Sequence, residues 1–492
     1  MNGTTSGGGL RIAVVGGGIA GLAAAVRLRD RLPPDTTITV YEQSGDLGGK
    51  LRTGSLAGST VEFGAEAFLV RDPDGGDSAA VALARRVGLA DELVNPATGR
   101  AALAIGDELR PMPAGTLVGV PGDLDSVAAV ARPAAERDRD GGGPLLAPAE
   151  DPTVGELVRR RLGDEVVDRL VDPMLGGVYA GRADELSLAA TMPGLAHAAR
   201  TESTLTGAVR AALAAAPRPA GAPVFATVRG GVSRLVAAAA ATSRAQIRLN
   251  AAVRELVPIP TGWRLVIGPT REPELVEVDA VVLALPARPA ARLLAGVDVA
   301  VGALVGRLDY ASMALVSLAL PEGALSTATS HAGGPTGSDA LVPAELSGFL
   351  VPATEGTLIK AATFFTSKWA HLRRPDGTVL LRASVGRYGE EHLLQRADDE
   401  LVSAVHRELA ALLGPGLPEP VASHVQRWGG ALPQYAPGHL DRVAAARTAL
   451  RTAHPHLALA GAGYDGVGIP ICVRSGETAA EEIIKVLGVS RA

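Results

Sequence analysis

Residues 14–53 read VVGGGIAGLAAAVRLRDRLPPDTTITVYEQSGDLGGKLRT, and the order of their parts decides the fold. An apolar strand runs into Gly16-x-Gly18-x-x-Gly21, an alanine-rich helix follows, and a second strand ends at Glu42. This is the βαβ order of a dinucleotide-binding unit. Gly16 lets the chain turn sharply after the strand, Gly18 clears space for a pyrophosphate, and Gly21 lets the helix pack close to the sheet. The phosphates then meet free N–H groups at the positive end of the helix, around Ile19 and Ala20. Glu42 stands where a carboxylate accepts hydrogen bonds from ribose hydroxyls, and its charge repels a 2′-phosphate, which disfavours NADP. A glycine triplet alone is a weak signal in a chain with 60 glycines. Strand, helix, second strand and acid in sequence make it a strong one.

Composition narrows the classes. The chain has 492 residues, enough for two to four domains and a large core. Hydrophobic residues make up 47% and charged residues 20%, the balance of a globular enzyme. A net charge of −5 gives no case for nucleic acid or for a strongly anionic membrane. The single cysteine, Cys472, excludes an internal disulfide and a cysteine-rich metal site, and fits a reducing, cytoplasmic setting. The opening MNGTTSGGGL lacks the charged and apolar regions of a signal peptide and reads as a loose tail. Apolar runs such as 234–247 and 279–300 are broken by Arg, Pro or Asp before they could span a bilayer, so no transmembrane segment is expected.

The spacing predicts a helix over 76–92 and short strands and turns over 95–123. A charged, Gly/Pro-rich stretch at 133–152 reads as a mobile loop. A helical block spans 153–216, opened by a capping box at Thr153 and Glu156. Strands return over 246–284 and 311–386, a helix over 396–413, a last strand over 457–462 and a last helix from about Ser475 to 487.

A second Gly-x-Gly-x-x-Gly, Gly461 to Gly466, does not open a second nucleotide site. Too little chain follows for another strand and acid. It fits a final strand whose edge meets the cofactor from the other side, with the helix from Ser475-Gly476 aimed at it. The strand around 252–257 would cover an adenine, with Val253 making backbone contacts. The nucleotide domain is therefore discontinuous, built from the start, middle and end of the chain. With no nicotinamide domain, electrons are expected from an organic substrate.

The segments GGGIAGL…LGGKLRT, FGAEAF (63–68) and AGAGYDGVGIPICVRSGETAAE near the C-terminus resemble the FAD-dependent amine oxidase-like superfamily. Together with VDPMLGGVYAGRADELSL (171–188), SGFLVPATEG (347–356), ATFFTSKWAH (362–371) and RWGGALPQYAPGH (427–439), they look like its protoporphyrinogen/coproporphyrinogen oxidases of heme synthesis. The resemblance covers most of the chain in the family's order. Lys50 stands where the superfamily commonly has Arg, and Ala65 where many members have Pro. The implied fold is α/β (α+β overall): a Rossmann-like FAD-binding domain from 1–75, 224–290 and 425–492, a mainly helical domain over 91–215, and a mixed-sheet substrate domain from 76–90 and 291–424. Non-covalent FAD would be held by Gly16, Gly18, Ile19, Ala20, Gly21, Glu42, Gly48, Gly49, Lys50, Leu51, Gly64, Ala65, Glu66, Val253, Gly463, Val467, Gly468 and Ile469.

The implied reaction takes a porphyrinogen to a porphyrin in three two-electron rounds, with O2 reduced to H2O2. Coproporphyrinogen III is favoured over protoporphyrinogen IX, because the chain looks soluble and a tetracarboxylate needs no membrane. The composition also resembles that of high-GC Gram-positive bacteria. The resemblance allows a product hand-off to a ferrochelatase and a monomer or homodimer. No residue stands out as a catalytic base, since the flavin does the redox work. Arg71 is the best partner for a substrate carboxylate, its alternative being a solvated loop arginine. Met174, Leu175 and Gly176 are candidates to line the pocket, ordinary helix-end packing being the alternative for Met174. Lys368-Trp369 reads equally as cofactor contact or core. Cys472, in an apolar setting, reads as an inert thiol, and His371 and His439 as structural, because no metal-ligand spacing surrounds them. Three rivals share the motifs: an amine oxidase, which needs aromatics that make up only 3% here, a carotenoid-type desaturase, and a flavin-binding regulatory protein without turnover.

Overall fold

The computed structural model of the chain describes residues 9–73, 75–216, 221–326 and 342–489. Most of the N-terminal stretch expected to be a loose tail, residues 1–8, lies outside them. At the centre is a five-stranded parallel sheet in the order Gln246–Arg248, Thr37–Tyr41, Arg11–Val15, Ala280–Leu283, Leu457–Leu459. Its strands come from the beginning, middle and end of the chain. The inner strands Arg11–Val15 and Ala280–Leu283, and Leu457–Leu459 beside them, read as nearly continuous apolar runs because both faces are covered. Ile12, Val14, Val40 and Val282 pack under the helices Ile19–Arg31 and Ile469–Leu487. Ala13, Val15, Val281 and Leu283 face the opposite way, in a cluster with Trp263 and Leu265. Those two belong to an antiparallel sheet of Val253–Ile259, Gly262–Ile267 and Glu274–Val278. The segment carrying Val253 is thus outside the parallel sheet.

A seven-stranded mixed sheet forms the second layer system. Its order is Ala422–Gln434, Asp309–Leu320, Val379–Val385, Ile359–Thr363, Gly348–Leu350, Ala102–Ile105, Glu108–Pro111. The amphipathic helix Asp398–Leu413 covers one face through Leu401, Val405 and Leu409, against Val316, Leu381 and Phe349. The helices Val154–Leu162, Asp172–Tyr179, Pro193–Ala198 and Leu205–Ala215 enclose a second core, which Leu103, Ile105 and Leu350 join from the sheet.

Several boundaries differ from the sequence reading. Residues 102–111 form the short strands expected there, but they belong to the seven-stranded sheet, although the stretch 91–215 is assigned by the sequence reading to a mainly helical domain. The strand Ala422–Gln434 is the edge of that same sheet, although it runs into the stretch assigned to the FAD domain. Pairing with distant strands decides both, and local pattern carries no trace of it. The predicted helix over 76–92 is shorter, Ala79–Arg86, with Ser78 capping Val81 N–H. The 133–152 stretch is not a free loop. Leu146 is buried in the helical core, and Asp138 accepts from the N–H groups of Leu205 and Thr206 at 2.7 and 3.0 Å. The capping residue Thr153 accepts from Glu156 N–H at 3.1 Å. The last helix begins at Ile469, six residues before Ser475, with Pro470 in its first turn, where a missing N–H costs nothing.

Candidate active site

In the parallel sheet, Arg11–Val15 and Leu457–Leu459 flank Ala280–Leu283. The loops leaving their C-terminal ends therefore meet at one edge, where open α/β sheets bind ligands. The first loop is built for close approach. Gly16 has φ +110°, and a Cβ there would lie 2.4 Å from Ala284 O. At Gly18 a Cβ would meet nothing within 4 Å. Gly18 is also the N-cap of helix Ile19–Arg31 and offers no side-chain cap, so the first N–H groups of the helix face this open space. Glu42 closes the far side: its Oε2 accepts Gly17 N–H at 2.8 Å, and its Oε1 accepts Ser44 N–H and Oγ–H at 2.9 and 2.8 Å. The Leu47–Lys50 turn docks on the same loop through Gly48 N–H to Gly17 O, 2.9 Å. An open glycine beside an uncapped helix N-terminus, with a carboxylate at the next strand end, fits an adenine dinucleotide.

The C-terminal half of the cradle is held by a chain of hydrogen bonds. Gly461 N–H donates to Ser475 Oγ at 2.8 Å, and the Ser475 hydroxyl donates to Asp465. Arg447 holds Asp465 through two bonds of 2.7 Å each. Ser475 is therefore an anchor in the second turn of the last helix, not its start. The segment carrying Gly463, Val467, Gly468 and Ile469 is fixed between the short helix Ala462–Asp465 and Ile469–Leu487. Lys50, its ammonium lowered by desolvation, lies near the Cys472 thiol, which burial pushes up to about 11. A thiol so raised is protonated at neutral pH and inert. Leu51 is buried, and its N–H donates to Gly48 O at 3.1 Å. Ala65 N–H donates to Lys50 O at 3.1 Å, and a Cβ on Gly64 would lie 2.0 Å from that same oxygen.

Glu66 is already taken. Its carboxylate is paired to Lys368 and, at 2.6 Å, to Arg382, both from the seven-stranded sheet region. The two cations, Lys368 first, hold Glu66 below the usual carboxylate range against the opposing effect of burial. Lys368 also lies 5.4 Å from the Trp369 ring centre. Glu62, four residues earlier, behaves in the opposite way. Burial pushes it up to about 7, although it accepts from Val232 N–H at 2.7 Å and Thr53 Oγ1 at 3.0 Å. A cavity of about 320 Å³ opens against Glu62 and Glu66, with Arg229, His371 and Arg373 among its lining residues.

The substrate candidates scatter. Arg71 is exposed and folds back on its own loop, donating to Gly75 O at 2.7 Å. Leu175 is buried in the helical core, whereas Met174 and Gly176 are partly exposed and Gly177 fully so. Gly176 O accepts from Lys360 Nζ at 3.0 Å. His439 is buried, and desolvation drives it down to about 4, so it is neutral. Sequence reading missed Glu62, Lys360 and Arg382, since a lone charged residue in a strand carries no spacing signal, and Arg387 in the loop after such a strand. Among the described residues, no group of three or more His, Cys, Asp or Glu could hold a metal ion.

The family pattern described as flavin containing amine oxidoreductase matches residues 19–484. The chain belongs to that family. Its cofactor is FAD, in agreement with the open cradle at Gly18. A protein of Mycobacterium tuberculosis named coproporphyrinogen III oxidase is 37% identical over 96% of this chain and 97% of its own length. A Bacillus subtilis protein of the same name is 30% identical over 97% of this chain and 98% of its own. Among solved structures, a protoporphyrinogen-oxidase-like protein from Exiguobacterium superposes with a TM-score of 0.78 at 30% identity, covering 98% of this chain and 99% of that one. No helix among the described residues is long and apolar enough to cross a membrane.

Proposed function

We propose that this flavoenzyme oxidises coproporphyrinogen III to coproporphyrin III. The observation that carries the reading is the 37% identity, over 96% of the chain, to a protein named for that reaction. The chemistry supplied by bound FAD is two-electron dehydrogenation, with O2 as acceptor and H2O2 as product; three rounds remove the six electrons that separate porphyrinogen from porphyrin. The protein's own contribution is binding, orientation and exclusion of water. N–H groups of Ile19, Ala20 and Gly21 would hold the pyrophosphate, Glu42 a ribose, and the Val467–Ile469 turn the ring end. Because Glu66 is engaged by Lys368 and Arg382, its part toward the cofactor runs through Arg382, which donates to Gly64 O at 2.8 Å. Partly exposed Met174 and the bare backbone at Gly176 and Gly177 offer a flat wall for a macrocycle. We read the chain as cytoplasmic, a monomer or homodimer, passing its porphyrin to a ferrochelatase.

Protoporphyrinogen IX is the second reading, favoured by the 0.78 superposition on the Exiguobacterium structure. One assay ranks both. The purified yellow protein is mixed anaerobically with each porphyrinogen in turn, then with O2. Bleaching of the flavin, followed by porphyrin fluorescence and one H2O2 per two electrons, is the expected result. If an amine bleaches the flavin and neither porphyrinogen does, the reading is wrong.

A further inference from the structure

Lys360 and Arg387 are the one lysine and the one arginine that lie fully buried among the described residues, at 3% and 6% exposure. Lys360 sits where the strand Ile359–Thr363 slips register between Ile359 and Ala361. Its Nζ reaches the helix Asp172–Tyr179 and donates to Gly176 O at 3.0 Å. That carbonyl already accepts the N–H of Ala180. Among the described residues no carboxylate pairs with Lys360; a neighbouring charge is the like-signed Arg387. Arg387 donates to Val351 O and Thr357 O, both at 3.3 Å, and its one salt-bridged acid among the described residues, Glu390, is 3.7 Å away and one-third exposed.

The other charges packed around this pair are committed elsewhere. Asp172 pairs with Arg182 at 3.2 Å. Glu408, from the helix behind the sheet, spends its two oxygens on the N–H groups of Leu358 and Ile359, and Glu355 accepts from Gly106 N–H. The two buried cations therefore face Glu390, which is partly solvated, and Asp172, which acts on Arg387 but is paired with Arg182. A buried charge is costly unless it is paired. The helix turn that receives the ammonium leaves open space at Gly176. A Cβ on Gly176 would meet only Gly181 O, at 3.7 Å, and Gly177 and Val178 are exposed, Val178 at 49%.

We propose that Lys360, backed by Arg387, is the subsite for a carboxylate of the substrate, which supplies the anion the buried pair lacks. The proposal rests on the porphyrinogen reading above, since propionates provide that carboxylate. The bland alternative is that Lys360 only caps helix carbonyls, as lysines near helix C-termini do. Titration separates the two. Burial first, and then Arg387, bring the Lys360 ammonium down to about 7, with Glu390 opposing. A bound carboxylate favours the charged form and raises it again. Binding at pH 8 should then take up close to one proton, and binding at pH 6, where Lys360 is already charged, almost none. A cap that never meets substrate takes up none at either pH.

The test is calorimetric titration of the FAD-loaded enzyme with coproporphyrin III, in two buffers of different ionisation enthalpy, at pH 6 and pH 8. Proton uptake at pH 8 that disappears in Lys360→Met supports the subsite, as does binding restored without uptake in Lys360→Arg. In turnover, Lys360→Met should raise KM for coproporphyrinogen III about tenfold or more, as loss of a charge-assisted contact does, with kcat within about twofold. Absence of uptake in the wild-type protein overturns the subsite without any variant having to fold. An unchanged KM in a flavin-replete Lys360→Met overturns it as well. If wild-type enzyme fails to oxidise coproporphyrinogen III at all, the functional reading falls; if it turns over without proton uptake, only the subsite does.

Discussion

Glu62 and Glu66 lie four residues apart and titrate in opposite directions. Glu66 has two cations on it and is held ionised. Glu62 has burial as its largest influence and is pushed from 4.5 to about 7. Between those two values the folded chain holds a proton that the unfolded chain has lost. Stability contributed at this site is therefore present at low pH and is lost as pH rises toward 7. The neighbouring cavity gives the carboxyl a route to solvent protons. Glu62→Gln removes the titration and keeps one acceptor oxygen for Val232. Its stability relative to wild type should rise between pH 5 and pH 8, by up to about 3 kcal/mol. Denaturant unfolding at the two pH values measures this, and a difference that does not change with pH would sink the argument. His439 shifts the other way, down to about 4, so its burial penalises folding as pH falls below its unfolded value. Neither behaviour was legible in the sequence, because burial depends on what the rest of the chain places around a side chain.

Elements carry the division between glycines that serve the fold and glycines that serve the cofactor. A Cβ on Gly21 would lie 2.0 Å from Gly16 O, so the helix Ile19–Arg31 could not close on its strand. Gly21→Ala should destabilise the flavin-free protein by about 1–3 kcal/mol and lower flavin content with it. Gly18 has open space on its Cβ side and φ −71°, which alanine adopts without strain. Gly18→Ala should change flavin-free stability by less than about 1 kcal/mol, yet displace the pyrophosphate. Absorbance at 450 nm per protein, set beside thermal melts of the flavin-free forms, separates the two. Equal loss of stability in both variants would show that Gly18 is packed rather than open. The spacing of these glycines was readable from sequence, since a sharp turn and a close approach each demand glycine at a fixed offset. The start of the last helix was not. Gly468 ends the preceding turn at φ +109°, and helix begins at Ile469 rather than at Ser475, which the chain uses to tie Gly461 and Asp465 together.

At the scale of the whole molecule, Glu66 joins two layers. It belongs to the N-terminal nucleotide-binding segment, and its partners Lys368 and Arg382 come from the seven-stranded sheet region more than 300 residues on. Glu66→Gln leaves two largely buried cations without their carboxylate and should cost about 3–5 kcal/mol. Adding Lys368→Met should restore part of that loss, because one orphaned charge is removed with it. Simple additivity in the double-mutant cycle would show that the charges do not interact. By itself the sequence determined the cofactor class, and its first strand–helix–strand unit stands in a parallel sheet whose strands come from the beginning, middle and end of the chain. Backbone turns, helix ends and an acid at the end of the second strand are local demands, written at fixed spacing in residues 14–53 and echoed near 461–476. Only the tertiary structure decided which sheet 102–111 and 422–434 would join, that residues 133–152 would be pinned, and that Lys360 would be buried beside Arg387 with no carboxylate paired to it among the described residues. Strand pairing, burial and charge balance are settled by parts of the chain hundreds of residues apart, and no local pattern records them.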